Sequence, residues 1–226
     1  MHRRRTIMKT PPPAIICIGR NYADHAHEMG GDIPDSPTVF MKNPASVIDD
    51  GDPIIIPSIC EPHGPEIDYE GELAVILGHD LTDATPEIAM DAIEGYAVAN
   101  DVTARWWQKK GSGGQWIRGK SFNTFCPIGN VVDAATIGCP QSLLLRTRVN
   151  GELVQESSTS SMIFGVRELL VELSRGMTLL KGTVLMTGTP AGVGAGRTPP
   201  RFLTDEDVVE VSIDGIGQIR NVVRRD

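Results

Sequence analysis

The stretch PEIDYEGELAVILG, Pro65 to Gly78, decides how the chain is read. A β-strand sends successive side chains to opposite faces. Glu66, Asp68, Glu70 and Glu72 then share one face, and Ile67, Tyr69, Leu73, Val75 and Leu77 the other. Such alternation is ordinary in an antiparallel sheet with one side in water. Four acids in a row repel one another, however, and a divalent cation is a common device that relieves this. Gly71, between the two inner acids, leaves room for a backbone or ligand to approach closely.

Outward from this stretch, AIICIG, TVFMKN, PIIIP, GYAVAND, LLLRTRV, ELVQESS, TVLMTG and DVVEVSID are short β-branched or aliphatic runs bounded by turn residues, and each predicts a strand. Asn150 and Gly151 predict a type I′ hairpin, whose two central positions need positive φ. Helix signals are fewer. TPEIAMDAIEG offers Thr85 as N-cap and Pro86 at the first helical position; SSMIFGVRELLVELSRG offers serine caps, apolar spacing of three and four, and a closing glycine. Strands and helices do not alternate, which argues against a doubly wound sheet or a strand–helix barrel. The expected class is α+β, mainly β, with a few short helices. Without repeats or a long linker, one domain over residues 1–226 is expected, with 1–14 as an N-terminal extension.

Composition narrows the function. Lys and Arg total 21 against 29 Asp and Glu, a formal charge of -8, which disfavours nucleic acid and anionic membranes as partners. The apolar runs are far shorter than the roughly 20 residues of a membrane helix. The start, MHRRRTIMKTPPP, has no apolar core for secretion, and its prolines leave no room for an amphipathic transit helix. A cytoplasmic protein is expected. Cys17, Cys60, Cys126 and Cys139 lack paired metal or disulfide spacing and read as free thiols.

Several motifs bear chemistry. Asp101 ends GYAVAN and precedes the helical VTARWWQKK, so it suits an N-cap; with Glu70 and Glu72 it also makes an all-oxygen donor set for Mg2+, Mn2+ or Ca2+. In GRNYADHAHEMGG, His25 and Glu28 are three apart on one helix face, the arrangement of a carboxylate-oriented general base, and Gly30 and Gly31 would end that helix and permit a mobile lid. GQWIRGKS, Gly114 to Ser121, matches the phosphate-loop pattern G-x-x-x-x-G-K-S/T, yet no strand leads into it and Pro127 and Gly129 stop any helix after it. In TGTPAGVGAG, Thr187 to Gly196, glycine amides serve either as turns or as an anion site.

Taken together, GRNYADHAHEMG, IDYEGELAVILG, GYAVANDVTAR, GKSFNTFCPIG, RVNGELVQ and LMTGTPAGVG, in that order, resemble the fumarylacetoacetate hydrolase family, in the short branch of acylpyruvate and fumarylpyruvate hydrolases. The resemblance implies a mixed β-sandwich roll, usually a homodimer, with Mg2+ or Mn2+ on Glu70, Glu72 and Asp101. It places a lid pair on His25 and Glu28, an active-site lysine on Lys120, and substrate contacts on Arg20, Gln108 and Thr189. Asn123 and Ser161 stand where members commonly have Asp. The implied activity is C–C hydrolysis of a 2,4-diketo acid with pyruvate leaving as its enolate, His25 activating the water and Lys120 stabilising the oxyanion. Oxaloacetate decarboxylation or tautomerisation and dienoate isomerisation on the same scaffold are the alternatives. A non-catalytic metal-binding protein is the alternative of another class.

Overall fold

The computed structural model describes residues 11–226, so most of the expected extension 1–14 lies outside the described residues. Two sheets organise the chain. The larger has six strands in the order Val132–Asp133, Ile93–Asn100, Gly71–Leu77, Val184–Met186, Ile15–Gly19 and Thr38–Lys42. Its neighbours run antiparallel except for Ile15–Gly19 beside Val184–Met186. The smaller has five, in the order Glu152–Ser158, Leu144–Val149, Val208–Ile213, Gly217–Arg225 and Ile54–Ile56. The architecture is α+β and mainly strand.

Gly71–Leu77 is buried from end to end. Leu73, Val75 and Leu77 enter the main core with Leu145, Val211 and Ile219 of the smaller sheet, whereas Ala74 and Ile76 enter a second cluster with Ile15, Cys17, Ala97, Ala99 and Met186. Both faces of the larger sheet are thus covered, so the acidic face is not a solvated outer face. The stretch is two strands: Ile67–Asp68 pairs with Thr103–Ala104, and Gly71–Leu77 with Ile93–Asn100. Asp68, Glu70 and Glu72 are buried while Glu66 is only half-buried. Gly71 faces the smaller sheet, where an added Cβ would stand 2.2 Å from Thr147 Oγ1. Its close approach is to a neighbouring strand, not to a ligand.

Asn150 and Gly151 take φ of 52 and 81, as a type I′ turn requires. Thr85 caps the helix Pro86–Asp91 through the Ile88 amide. The second helix is shorter than its sequence suggests, running Val166–Ser174 from Gly165 rather than from the serines. Upstream, the Ile163 and Phe164 amides bond to Asn21 O and Oδ1 at 2.8 Å each, which draws that segment away from the helix. Among the described residues no helix is long and apolar enough to cross a membrane.

Candidate functional site

Antiparallel pairing assembles the acids. Glu72 lies opposite Ala99, Glu70 precedes the strand Gly71–Leu77, and Asp101 follows Ile93–Asn100, with the Asp101 amide donating to Glu70 O at 2.8 Å. Oxygens of Glu70, Glu72 and Asp101 lie within 4.8 Å of one another. Asp101 is not a helix cap: Ala104 holds that position for the helix Arg105–Lys109.

Fixed cations surround the cluster. Lys120 Nζ donates to Glu70 Oε2 at 2.8 Å, Asp101 Oδ2 at 2.5 Å and Thr103 Oγ1 at 2.8 Å. Lys42 Nζ donates to Asp101 Oδ1 at 2.6 Å, and Arg105 pairs with Asp68 and Glu70 at 2.7 Å each. Four carboxylates therefore meet three cations, which leaves one negative charge once Glu72 is ionised. For Glu70, burial opposes ionisation, but Lys120 and Arg105 outweigh it and hold the carboxyl at about 2. Glu72 goes the other way: burial, then Asp101 and Glu70, push it well above its ordinary value, against Lys120 and the Gly188 amide. An all-oxygen donor set with uncompensated charge fits a hard divalent cation better than zinc. Such an ion would turn the residual charge positive, which suits an anionic ligand.

A cavity of about 130 Å3 adjoins the cluster, lined by Arg20, His25, Glu70, Gln108, Lys120 and Thr189. Phe40 and Trp116 supply aromatic wall. Six residues singled out in the sequence thus meet in one space; Glu28, Glu72 and Asp101 stand behind its lining. His25 is buried on the helix Ala23–Glu28, with Nδ1 3.3 Å from Glu28 Oε2. Arg20 takes a φ of 56, and its guanidinium stands 5.9 Å from the centre of the Trp116 ring. Gln108 Oε1 accepts from Arg105 at 3.1 Å. Thr189 Oγ1 donates to Gly71 O at 3.0 Å and accepts from Gln155 Nε2 at 2.8 Å. Asn123 and Ser161 are exposed and do not line the cavity. A larger cleft, about 710 Å3 between the helices Pro86–Asp91 and Val166–Ser174, is lined by Met90, Phe164 and Val171 and holds none of these site residues.

The phosphate-loop match is accidental. Lys120 closes the short helix Ile117–Lys120 instead of preceding one, so no helix N-terminus faces a phosphate there. In Thr187–Gly196 the amides do bind anions, but the anions are the protein's own. Gly188 donates to Glu72 at 2.8 Å, Gly192 to Glu28 at 3.0 Å, and Gly194 and Ala195 to Asp68 at 2.7 and 3.0 Å. Thr103 and Arg105 lie within GYAVANDVTAR, Gln155 within RVNGELVQ and Lys42 at the end of an apolar strand, yet the sequence assigns none of them a role.

Residues 14–224 match the family described as fumarylacetoacetate (FAA) hydrolase C-terminal. The oxaloacetate tautomerase YisK of Bacillus subtilis (strain 168) is 48% identical over 216 residues, covering 94% of this chain and 70% of that protein. Among solved structures, a fumarylacetoacetate hydrolase from Exiguobacterium antarcticum is 46% identical with TM-score 0.86, over 96% of this chain and 76% of that one. A 5-carboxymethyl-2-hydroxymuconate delta-isomerase from Mycobacterium smegmatis is 38% identical with TM-score 0.82, over 96% and 80%. The chain is thus shorter than each of these relatives. Two of the three carry names for tautomerisation or isomerisation, which favours the alternative activity over the acylpyruvate hydrolysis first expected.

Proposed function

The chain belongs to the fumarylacetoacetate hydrolase family, and on that basis we propose that it interconverts the enol and keto forms of a small 2-keto dicarboxylic acid of the oxaloacetate class, with Mg2+ or Mn2+ held by Glu70, Glu72 and Asp101. The observation that carries this reading is the placement of the acid cluster and the His25–Glu28 pair about one small cavity. The cavity is small, about 130 Å3, and Arg20 in its lining suits an acidic ligand.

When bound, a divalent ion would polarise the 2-keto group and offset the charge that builds on its oxygen. The remaining work falls to the chain. His25, its ring oriented by Glu28, removes the proton from the carbon next to the ketone and the oxygen is protonated in turn; the reverse path returns the keto form. One C–H bond breaks, one O–H bond forms, and no co-reactant is consumed. Lys120 directs its three N–H groups at Glu70, Asp101 and Thr103, so it serves as a fixed charge rather than a proton donor. Arg20 and Gln108 offer hydrogen-bond donors to the substrate carboxylates.

Ultraviolet decay of enol-oxaloacetate with Mg2+ or Mn2+, run beside assays for pyruvate release from acetylpyruvate and oxaloacetate, tests the reading. Accelerated enol decay without pyruvate supports it, and His25→Ala should slow that decay by roughly a hundredfold. Pyruvate from acetylpyruvate, with enol decay at the uncatalysed rate, would restore hydrolysis.

A further inference from the structure

Glu28 is gripped from two sides. Its Oε2 lies 3.3 Å from His25 Nδ1, while the Gly192 amide donates to Oε1 at 3.0 Å and Oε2 at 3.2 Å. Gly192 has a φ of +106, and a Cβ there would stand 2.0 Å from Val154 O, so only glycine can aim its amide this way. Gly196 differs. Its φ is outside the left-handed region, so its backbone does not require glycine, yet a Cβ there would fall 2.3 Å from Glu28 Cγ and Cδ and 2.5 Å from Oε1. The space a side chain would fill at Gly196 is the space Glu28 occupies.

We propose that Gly196 is a positioning residue: its bare Cα leaves the seat in which the Gly192 amide holds Glu28 against His25, and so sets the imidazole that moves the proton. This rests on the proposed function, in which His25 carries the proton. The seat joins the lid helix Ala23–Glu28 to a loop whose other amides hold Glu72 and Asp68, so the pair and the acid cluster share one backbone support.

Gly196→Ala puts one methyl into the seat and leaves His25, Glu28 and the three acids unaltered. The atoms it displaces are the end of a flexible side chain, so the fold should hold, and thermal melting checks this. For enol decay, kcat should fall roughly tenfold or more with KM within about twofold. Exchange of the Gly192 amide proton should quicken in Gly196→Ala and equally in Glu28→Ala, since both remove its acceptor. In the Glu28→Ala background, adding Gly196→Ala should change neither kcat nor exchange. Full kcat in Gly196→Ala, a further loss in the double variant, or a Gly192 amide still protected in Glu28→Ala would each overturn the proposal. His25→Ala separates the two levels. If it stays active, the proton-carrier reading fails and the seat with it; if it is inactive while Gly196→Ala is fully active, the seat alone fails.

Discussion

Glu72→Gln should act with opposite sign on the metal-free and the metal-loaded protein. Glutamine keeps the shape and can still accept the 2.8 Å bond from the Gly188 amide, but it removes a charge. In the metal-free fold the oxygens of Glu70, Glu72 and Asp101 lie within 4.8 Å of one another, a distance at which two unit charges repel by roughly 3 kcal/mol at an effective dielectric of about 20. Proton uptake limits that cost, because burial, then Asp101 and Glu70, raise the Glu72 carboxyl well above its ordinary value. The sign follows from the raised value: the contribution of Glu72 is complete below its unfolded pKa and is lost as pH climbs toward the folded one. The metal-free variant should therefore melt no lower than the unmodified protein, with an advantage that grows with pH.

With cation bound the balance reverses. Losing one of three anionic ligands should weaken the ion roughly a hundredfold, about 2.7 kcal/mol. At a cation concentration of about 100 Kd the unmodified protein gains about 2.7 kcal/mol, a rise in Tm of roughly 5 to 11 °C for a domain of this size. The variant, then at its own Kd, gains about 0.4 kcal/mol, a rise of roughly 1 to 2 °C. Differential scanning calorimetry with and without Mn2+ reads both quantities. Equal metal-induced rises would refute the ligand assignment, and so would a matching loss in Glu66→Gln, since Glu66 is half-buried and outside the cluster.

Lys120→Met removes one of three buried cations, leaving Glu70 to Arg105 and Asp101 to Lys42; the one further uncompensated charge costs about 3 kcal/mol, so metal-free Tm should fall by roughly 6 °C or more and Mg2+ should recover part of it. A variant as stable as the original, or one that loses ATP binding the unmodified protein possesses, would revive the phosphate-loop reading. Cation binding should expel the proton that the raised Glu72 carboxyl retains, so calorimetry in two buffers of different ionisation enthalpy should show proton release that shrinks as pH rises; release of none at any pH would contradict the raised value.

Much of the fold is legible because its strands are short and punctuated. The strand Gly217–Arg225 escapes notice for a physical reason: it lies near the edge of the smaller sheet, and the buried Asn221 stands between Ile219 and Val223 on its inward face, so only two aliphatic residues mark that face. Alternation misleads in the opposite way at Glu66 to Glu72. It separates acids from apolar residues, yet both faces of that sheet are covered, so Asp68, Glu70 and Glu72, which alternation alone would put in water, are buried. A period of two reports sidedness, not exposure.

The site divides along the same line. His25 with Glu28, and Glu70 with Glu72, are close in sequence and can be read as motifs; what gives them their electrostatic meaning comes from distant strands and loops. Lys42 reaches Asp101 across 59 positions, and the Gly192 amide reaches Glu28 across 164. Without these partners the cluster reads as a bare acidic triad, which would bind a cation tightly and repel a keto diacid. With Lys42, Arg105 and Lys120 counted, at most one negative charge remains, and only once Glu72 is ionised, so a single divalent ion leaves the site positive. A dianionic substrate then meets a far more attractive cavity once the ion has arrived. Cation and substrate binding should therefore be positively coupled, and the buried lysines, which compete with the metal for Asp101 and Glu70, are what make the metal-loaded site positive.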